Sequence, residues 1–171
     1  MSILTFRHLE ILPSAQIPVL PVDAFRRAVL AAVAEGCRLV SFHGTPQAGD
    51  AVRLVAMLAH DRAGDMRAVA TDPGESYPAL APDCPQAAGF EREIAEQWGV
   101  KPLGHPWLKP LRFHRSFRTG HDAWDRTGEG VPAPSVMDYF RVDGEGIHEV
   151  AVGPVHAGII EPGHFRFQCH G

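Results

Sequence analysis

Residues 51–71, AVRLVAMLAHDRAGDMRAVAT, constrain this chain more than any other stretch. Two apolar arms, roughly 51–60 and 66–71, flank the polar turn Asp61–Asp65. Apolar arms of strand length around a short polar break predict a β-hairpin. Just ahead of them, CRLVSFHG reads as a short buried strand ending at Gly44. Earlier still, PVDAFRRAVLAAVAEG puts Phe25, Val29, Leu30 and Val33 on one side of a helix. Asp23 is its expected N-cap and Gly36 the residue past its end. Pro13, Pro18 and Pro21 argue for extended or loop structure over residues 1–20. A helix and a strand leading into a hairpin place the chain in the α+β class, with a small mixed sheet and packed helices.

The next segment, 72–85, carries four prolines and reads as a loop. PQAAGFEREIAEQWG then predicts a second helix with Phe90, Ile94 and Trp98 as its apolar stripe. Within it Arg92 and Glu96 are spaced for an i, i+4 ion pair, and Gly99 is placed to end it. From 100 to 135 the periodicity is lost in a long irregular segment rich in Pro, His, Arg and Trp. Charge divides sharply here: residues 72–98 hold six acids and one base, and 99–126 hold six bases and two acids. Such blocks suit docking on complementary subunits or two solvated surfaces. We place a boundary at 135, giving domains 1–135 and 136–171. In the second, Asp143-Gly144 and Gly146 set a turn between alternating runs, which predicts a C-terminal β-hairpin.

Several function classes are disfavoured by composition. A net charge of -4 gives no general attraction to nucleic acid. No run approaches the length of about 18 apolar residues that a membrane helix needs. Arg7 and Glu10 interrupt the region where a secretory leader would have its apolar core. Cys37, Cys84 and Cys169 lie far apart, a pattern of reduced thiols in a cytoplasmic protein and too few to hold an iron–sulfur cluster.

The residues alone define no reaction. His148, His156 and His164 recur eight residues apart, but glycines and prolines break the strand between them, so no metal site is assigned. A Cys84/His105 nucleophile pair has no local signature. GDAVRL lacks the glycine spacing of a phosphate-binding turn. Glu91 and Glu93, as a general acid and base, would face different ways on a helix, whereas Arg92 with one carboxylate can tie the helix to a loop. The bases interleaved with aromatics between Trp107 and Arg118 form a sticky segment without an assigned ligand.

Two stretches carry a resemblance. YPALAPDCPQAAGFEREIAEQWGVKPLGHPWLKPL resembles the signature of the thirty-kilodalton subunit of respiratory complex I and its hydrogenase relatives. Glu91, Arg92, Glu93, Gly99, Gly104, His105 and Pro106 stand at its matching places, while Glu96, Gln97, Trp98 and Val100 replace its aspartate, leucine, phenylalanine and isoleucine. EGIHEVAVGPVHAGIIEPGHFRF is similar to the opening of the large subunit of membrane-bound nickel–iron hydrogenases of the formate hydrogenlyase type. The order of the two is that of the fused hydrogenase subunit.

The resemblance implies a non-catalytic assembly domain of such a hydrogenase, or of an NADH-quinone oxidoreductase. It would dock a large-subunit body and an iron–sulfur small subunit, peripheral to the cytoplasmic face of the inner membrane and reaching the membrane only through the complex. The complex would carry iron–sulfur clusters and nickel–iron or quinone. The chain ends at Gly171 without the paired C-x-x-C nickel ligands, so no cofactor is expected on this chain alone. Trp107, Arg112, Arg115 and Arg118 join the signature residues as candidate partner contacts. His156, in a Gly-Pro-x-His context, is the candidate for a quinone-proximal histidine. The alternative from another class is a small metal- or nucleotide-binding regulatory module on the same fold. Exposed apolar strand at 150–167 predicts self-association of the isolated chain.

Overall fold

The computed structural model describes residues 3–126, 130 and 142–171. The chain divides into two compact units, residues 1–135 and 136–171.

In the first unit, β1 (Leu4–Arg7) precedes α1 (Val22–Ala34), β2 (Arg38–Pro46), β3 (Val52–His60) and β4 (Asp65–Thr71). These strands form an antiparallel sheet in the order β1-β4-β3-β2. The β3–β4 hairpin closes through Gly64, whose φ of +71° is readily reached only without a side chain. Asp23 does not cap α1. Pro21 holds the N-cap position with an extended backbone, and Asp23 falls in the first turn, where its charge still favours the helix start. Gly36 follows the helix with φ +97°.

Two further strands, β5 (Ser76–Pro78) and β6 (Lys101–Leu103), pair in parallel on either side of α2 (Ala88–Trp98). The proline-rich segment therefore contributes a short strand as well as a loop. Both helices cover one face of the main sheet. Phe25 of α1 packs on Phe42 with ring centroids 5.7 Å apart. Two residues along β2, and so on the same face, Gly44 receives the indole of Trp98. Phe25, Val29, Phe42, Leu54, Leu58, Leu80 and Ile94 make the centre of the core.

The second unit contains β7 (Ile147–Val152) and β8 (Phe165–His170), an antiparallel hairpin. The fold is thus the mixed α and β arrangement expected, with a C-terminal hairpin. Its strands differ from the expected pairing: β7 pairs with β8 across residues 153–164, and the run expected before the 143–146 turn lies almost wholly outside the described residues. Val150 faces Phe167 and Val152 faces Phe165 on one side, while Glu149 and Arg166 form an ion pair on the other. The hairpin is amphipathic, with both faces exposed. Among the described residues, no helix is long and apolar enough to cross a membrane.

Candidate functional site

Helix α2 gathers the loops of the first unit, and most of the candidate residues are on it or bound by it. Its inward side begins with Glu91, whose side chain has no exposure to solvent. The tight turn of Tyr77-Pro78-Ala79-Leu80-Ala81-Pro82 aims two amides at it: Leu80 N–H donates at 2.6 Å and Ala81 N–H at 3.0 Å. Burial raises the Glu91 pKa, and those two amides oppose the rise by stabilising the anion. Tyr77 lies beside it, and its phenol is pushed well up, first by burial and then by the Glu91 charge. Arg26 of α1 steadies the same turn, donating to the Ala79 carbonyl and pairing with Asp83.

His105 closes the other side. Its Nδ1 accepts the Trp107 amide at 3.0 Å and its Nε2 donates to the Ala88 carbonyl at 3.1 Å. Those partners fix a neutral imidazole with its hydrogen on Nε2. Burial lowers its pKa, so the 4.0 Å approach to Glu91 is not an ion pair. The Gly104-His105-Pro106 sequence is thus a turn pinned to the first residue of α2, with Gly104 at φ +78°.

Along the helix, each following polar side chain takes another piece of the loop. Arg92 donates from Nε to the Lys109 carbonyl at 2.9 Å and from Nη2 to that of Pro110 at 3.0 Å. Its guanidinium stands 4.8 Å from the centre of the Trp107 ring. Glu93 pairs with Arg112 at 2.9 Å. Glu96, also buried, accepts the amides of Leu111 at 2.8 Å and Arg112 at 2.7 Å. The carbonyl of Gln97 accepts the Phe117 amide at 2.7 Å. The i, i+4 pair expected between Arg92 and Glu96 does not form. Both side chains instead satisfy backbone groups of the 109–112 segment, which has no strand partner of its own.

Arg118 turns inward. It is 7% exposed and donates to Glu75 at 2.8 Å, to the Trp98 carbonyl at 3.0 Å and to Asp50 at 3.4 Å. Arg115 donates to the Gly130 carbonyl. The two blocks of opposite charge therefore bind each other. Glu75 holds Arg118, Glu93 holds Arg112, and Arg126 approaches Glu96 at 3.9 Å. Leu103 of β6 and Trp107, Leu111 and Phe117 of the loop are exposed, beside the charged Arg112, Arg115 and Asp125.

Sequence reasoning missed the cluster of Asp50, Glu75, Arg118 and His121, because its members are scattered over the chain with no motif spacing. It also missed Gln86, whose side chain accepts the Leu39 amide on the edge strand β2 at 2.7 Å. In the second unit, His156 contacts the Gly163 carbonyl through Nε2 at 2.7 Å and meets Phe165 edge-on. It lines an open pocket with Val155, Ile159, Ile160 and Glu161.

Chemically, this constellation holds loops in place. Glu91 and His105 have the residue types of an acid and a base, but both are buried and fully engaged. Among the described residues, no group of three His, Cys, Asp or Glu side chains could hold a metal ion. Cys37 and Cys84 are buried, and Cys169 is exposed on β8. These described residues do not fit an iron–sulfur or nickel–iron centre.

A mixed α/β module in which one helix organises a long irregular loop is the class that this geometry defines. No family model matches the chain. It is similar to formate hydrogenlyase subunit 5 of Escherichia coli (strain K12), with 30% identity over 111 residues. The match takes in 56% of this chain and spans 18% of that protein's length. The likeness is thus to a subunit of a formate hydrogenlyase.

Proposed function

We propose that this chain is a non-catalytic assembly module of a membrane-associated nickel–iron hydrogenase complex of the formate hydrogenlyase type, or of a quinone oxidoreductase on the same plan. Residues 1–135 form the domain resembling the thirty-kilodalton subunit, and 136–171 the opening segment of a large subunit. The module works at the cytoplasmic face, where it docks the large-subunit body and the iron–sulfur small subunit. The observation that carries this reading is the 104–126 loop. It is fixed at many points by α2, yet it presents Trp107, Leu111 and Phe117 to solvent, with Leu103 of β6 exposed just ahead of it. Aromatic and apolar side chains held in one conformation lose little entropy when a partner covers them. The likeness to formate hydrogenlyase subunit 5 supports the choice of complex.

Co-expression of the tagged chain with the small and large hydrogenase subunits of its source tests this. Co-elution of all three is expected, with loss of the partners in a W107A/F117A variant that melts like wild type. A chain that elutes alone, or a variant that keeps its partners, overturns the reading.

A further inference from the structure

The β7–β8 ladder sorts its side chains onto two faces. On one, Glu149 and Arg166 pair, and the Gln168 side chain accepts the Val142 amide at 2.8 Å. On the other lie three cross-strand pairs: Val152 with Phe165, Val150 with Phe167, and His148 with Cys169. The first two pairs are apolar and exposed, and the rings of Phe165 and Phe167 stack 6.1 Å apart. The third sets an imidazole beside a thiol. Cys169 is a free, exposed cysteine, and His148 is exposed as well. Residues directly opposite in an antiparallel ladder hold their Cβ atoms about 4.5–5.5 Å apart, near enough for both side chains to reach one ion.

Two ligands make half a site. A structural zinc ion takes four nitrogen or sulfur ligands in a tetrahedron. Among the described residues no third ligand joins this pair. His170 stands opposite Ile147 on the other face of the ladder. A second copy of the chain supplies the missing half. Its hairpin offers the same pair and the same apolar rows. A two-fold axis parallel to the strands lays one face on the other with like ends together, which sets His148 of each copy over Cys169 of the other. Packed sheets stand about 10 Å apart. Zinc bonds sulfur at about 2.3 Å and nitrogen at about 2.1 Å, so side chains reaching inward from both sheets meet at one ion midway. The same union covers Val150, Val152, Phe165 and Phe167 in both copies, which a lone two-stranded sheet cannot do for itself.

We propose that the β7–β8 face binds one zinc ion between two copies of this chain, through His148 and Cys169 of each. Each thiol gives its proton to solvent and binds as a thiolate, and each imidazole binds through one ring nitrogen. Two thiolates and two imidazoles suit zinc over magnesium or calcium, which take oxygen ligands. The apolar rows favour the pairing, and the metal fixes its register. The site rests on this ladder alone and is independent of the proposed complex.

The test titrates the untagged full chain, reduced and stripped of metal, with zinc ions and follows it by sedimentation velocity. Dimer is expected to grow until half an equivalent of zinc has been added, and to revert when a chelator removes the metal. Cobalt(II) in place of zinc should show a thiolate-to-metal charge-transfer band and the ligand-field bands of a tetrahedral site. Cys169→Ser should lose the sulfur band. Cys169→Ser and His148→Ala should each lose the metal-driven dimer, while keeping whatever self-association the chain shows without metal. No dimer at half an equivalent, one zinc ion per chain in a monomer, or variants that dimerise with zinc as wild type does overturn the site. If the variants do not fold, wild type alone decides: a sulfur band at one cobalt ion per two chains supports the proposal, and a spectrum without that band overturns it.

Discussion

Trp98 occupies the space that a side chain at Gly44 would need: a Cβ on Gly44 would stand 2.5 Å from the indole Cδ1 and Nε1. This joins α2 to β2 at the point where the helix ends. Gly44→Ala is expected to destabilise the domain by about 1–3 kcal/mol through overpacking. In a Trp98→Phe background the same change should cost less. A denaturation double-mutant cycle measures the difference, and strict additivity would show that the contact is not felt.

Arg92 carries the start of the irregular loop. Removing it leaves the carbonyls of Lys109 and Pro110 without their charged donor and Trp107 without its cation. Arg92→Ala should destabilise by about 2–4 kcal/mol in chemical denaturation. Arg92→Lys should recover only part of that, because one ammonium cannot span both carbonyls as the guanidinium fork does. A lysine variant as stable as wild type would show that charge alone suffices.

Glu96 supports the same segment from its next residues. Glu96→Gln keeps the size of the side chain but puts a weaker, neutral acceptor under the amides of Leu111 and Arg112. A loss of about 1–3 kcal/mol is expected, together with faster hydrogen exchange at those two amides. Unchanged exchange there would mean that they do not depend on Glu96.

His105 should give stability a pH slope of its own. Burial holds the His105 pKa below its ordinary value, so the folded state resists protonation at that ring. Stability is lost as pH falls from the ordinary imidazole range, near 6.5, toward the lower folded value. His105→Asn should flatten this fall between pH 7 and 5. Below that range Asp72 and Glu75 add to the loss. Arg53 holds the first low and Arg118 the second, so their contributions are present above the ordinary carboxylate range and vanish as pH drops through the depressed values. Urea titrations across pH check both limbs.

The amphipathic β7–β8 hairpin leaves Val150, Val152, Phe165 and Phe167 exposed on one face. A two-stranded sheet with an uncovered apolar face is marginal in water. The isolated chain should therefore self-associate as concentration rises, and a Phe165→Thr/Phe167→Thr variant should do so less. Sedimentation velocity over a concentration series measures it. A monodisperse wild type at high concentration would remove the prediction.

The sequence by itself determined the local elements. The apolar stripe Phe25, Val29 and Val33, the arms around Asp61–Asp65, and Gly36 and Gly99 as helix ends all reflect periodicity and backbone sterics, which act over a few residues. It also marked Arg92 as a tie between helix and loop. Only the tertiary structure decided what each one holds. Arg92 and Glu96 prefer loop backbone to each other, since an unpaired buried amide or carbonyl costs more than a solvated ion pair returns. The charge blocks on either side of residue 99 meet only in the folded chain, where Glu75 holds Arg118 and Glu93 holds Arg112. Asp50, Glu75 and His121 meet only because three separate segments come together beside the end of α2, and no spacing along a chain can encode a neighbour that folding alone supplies.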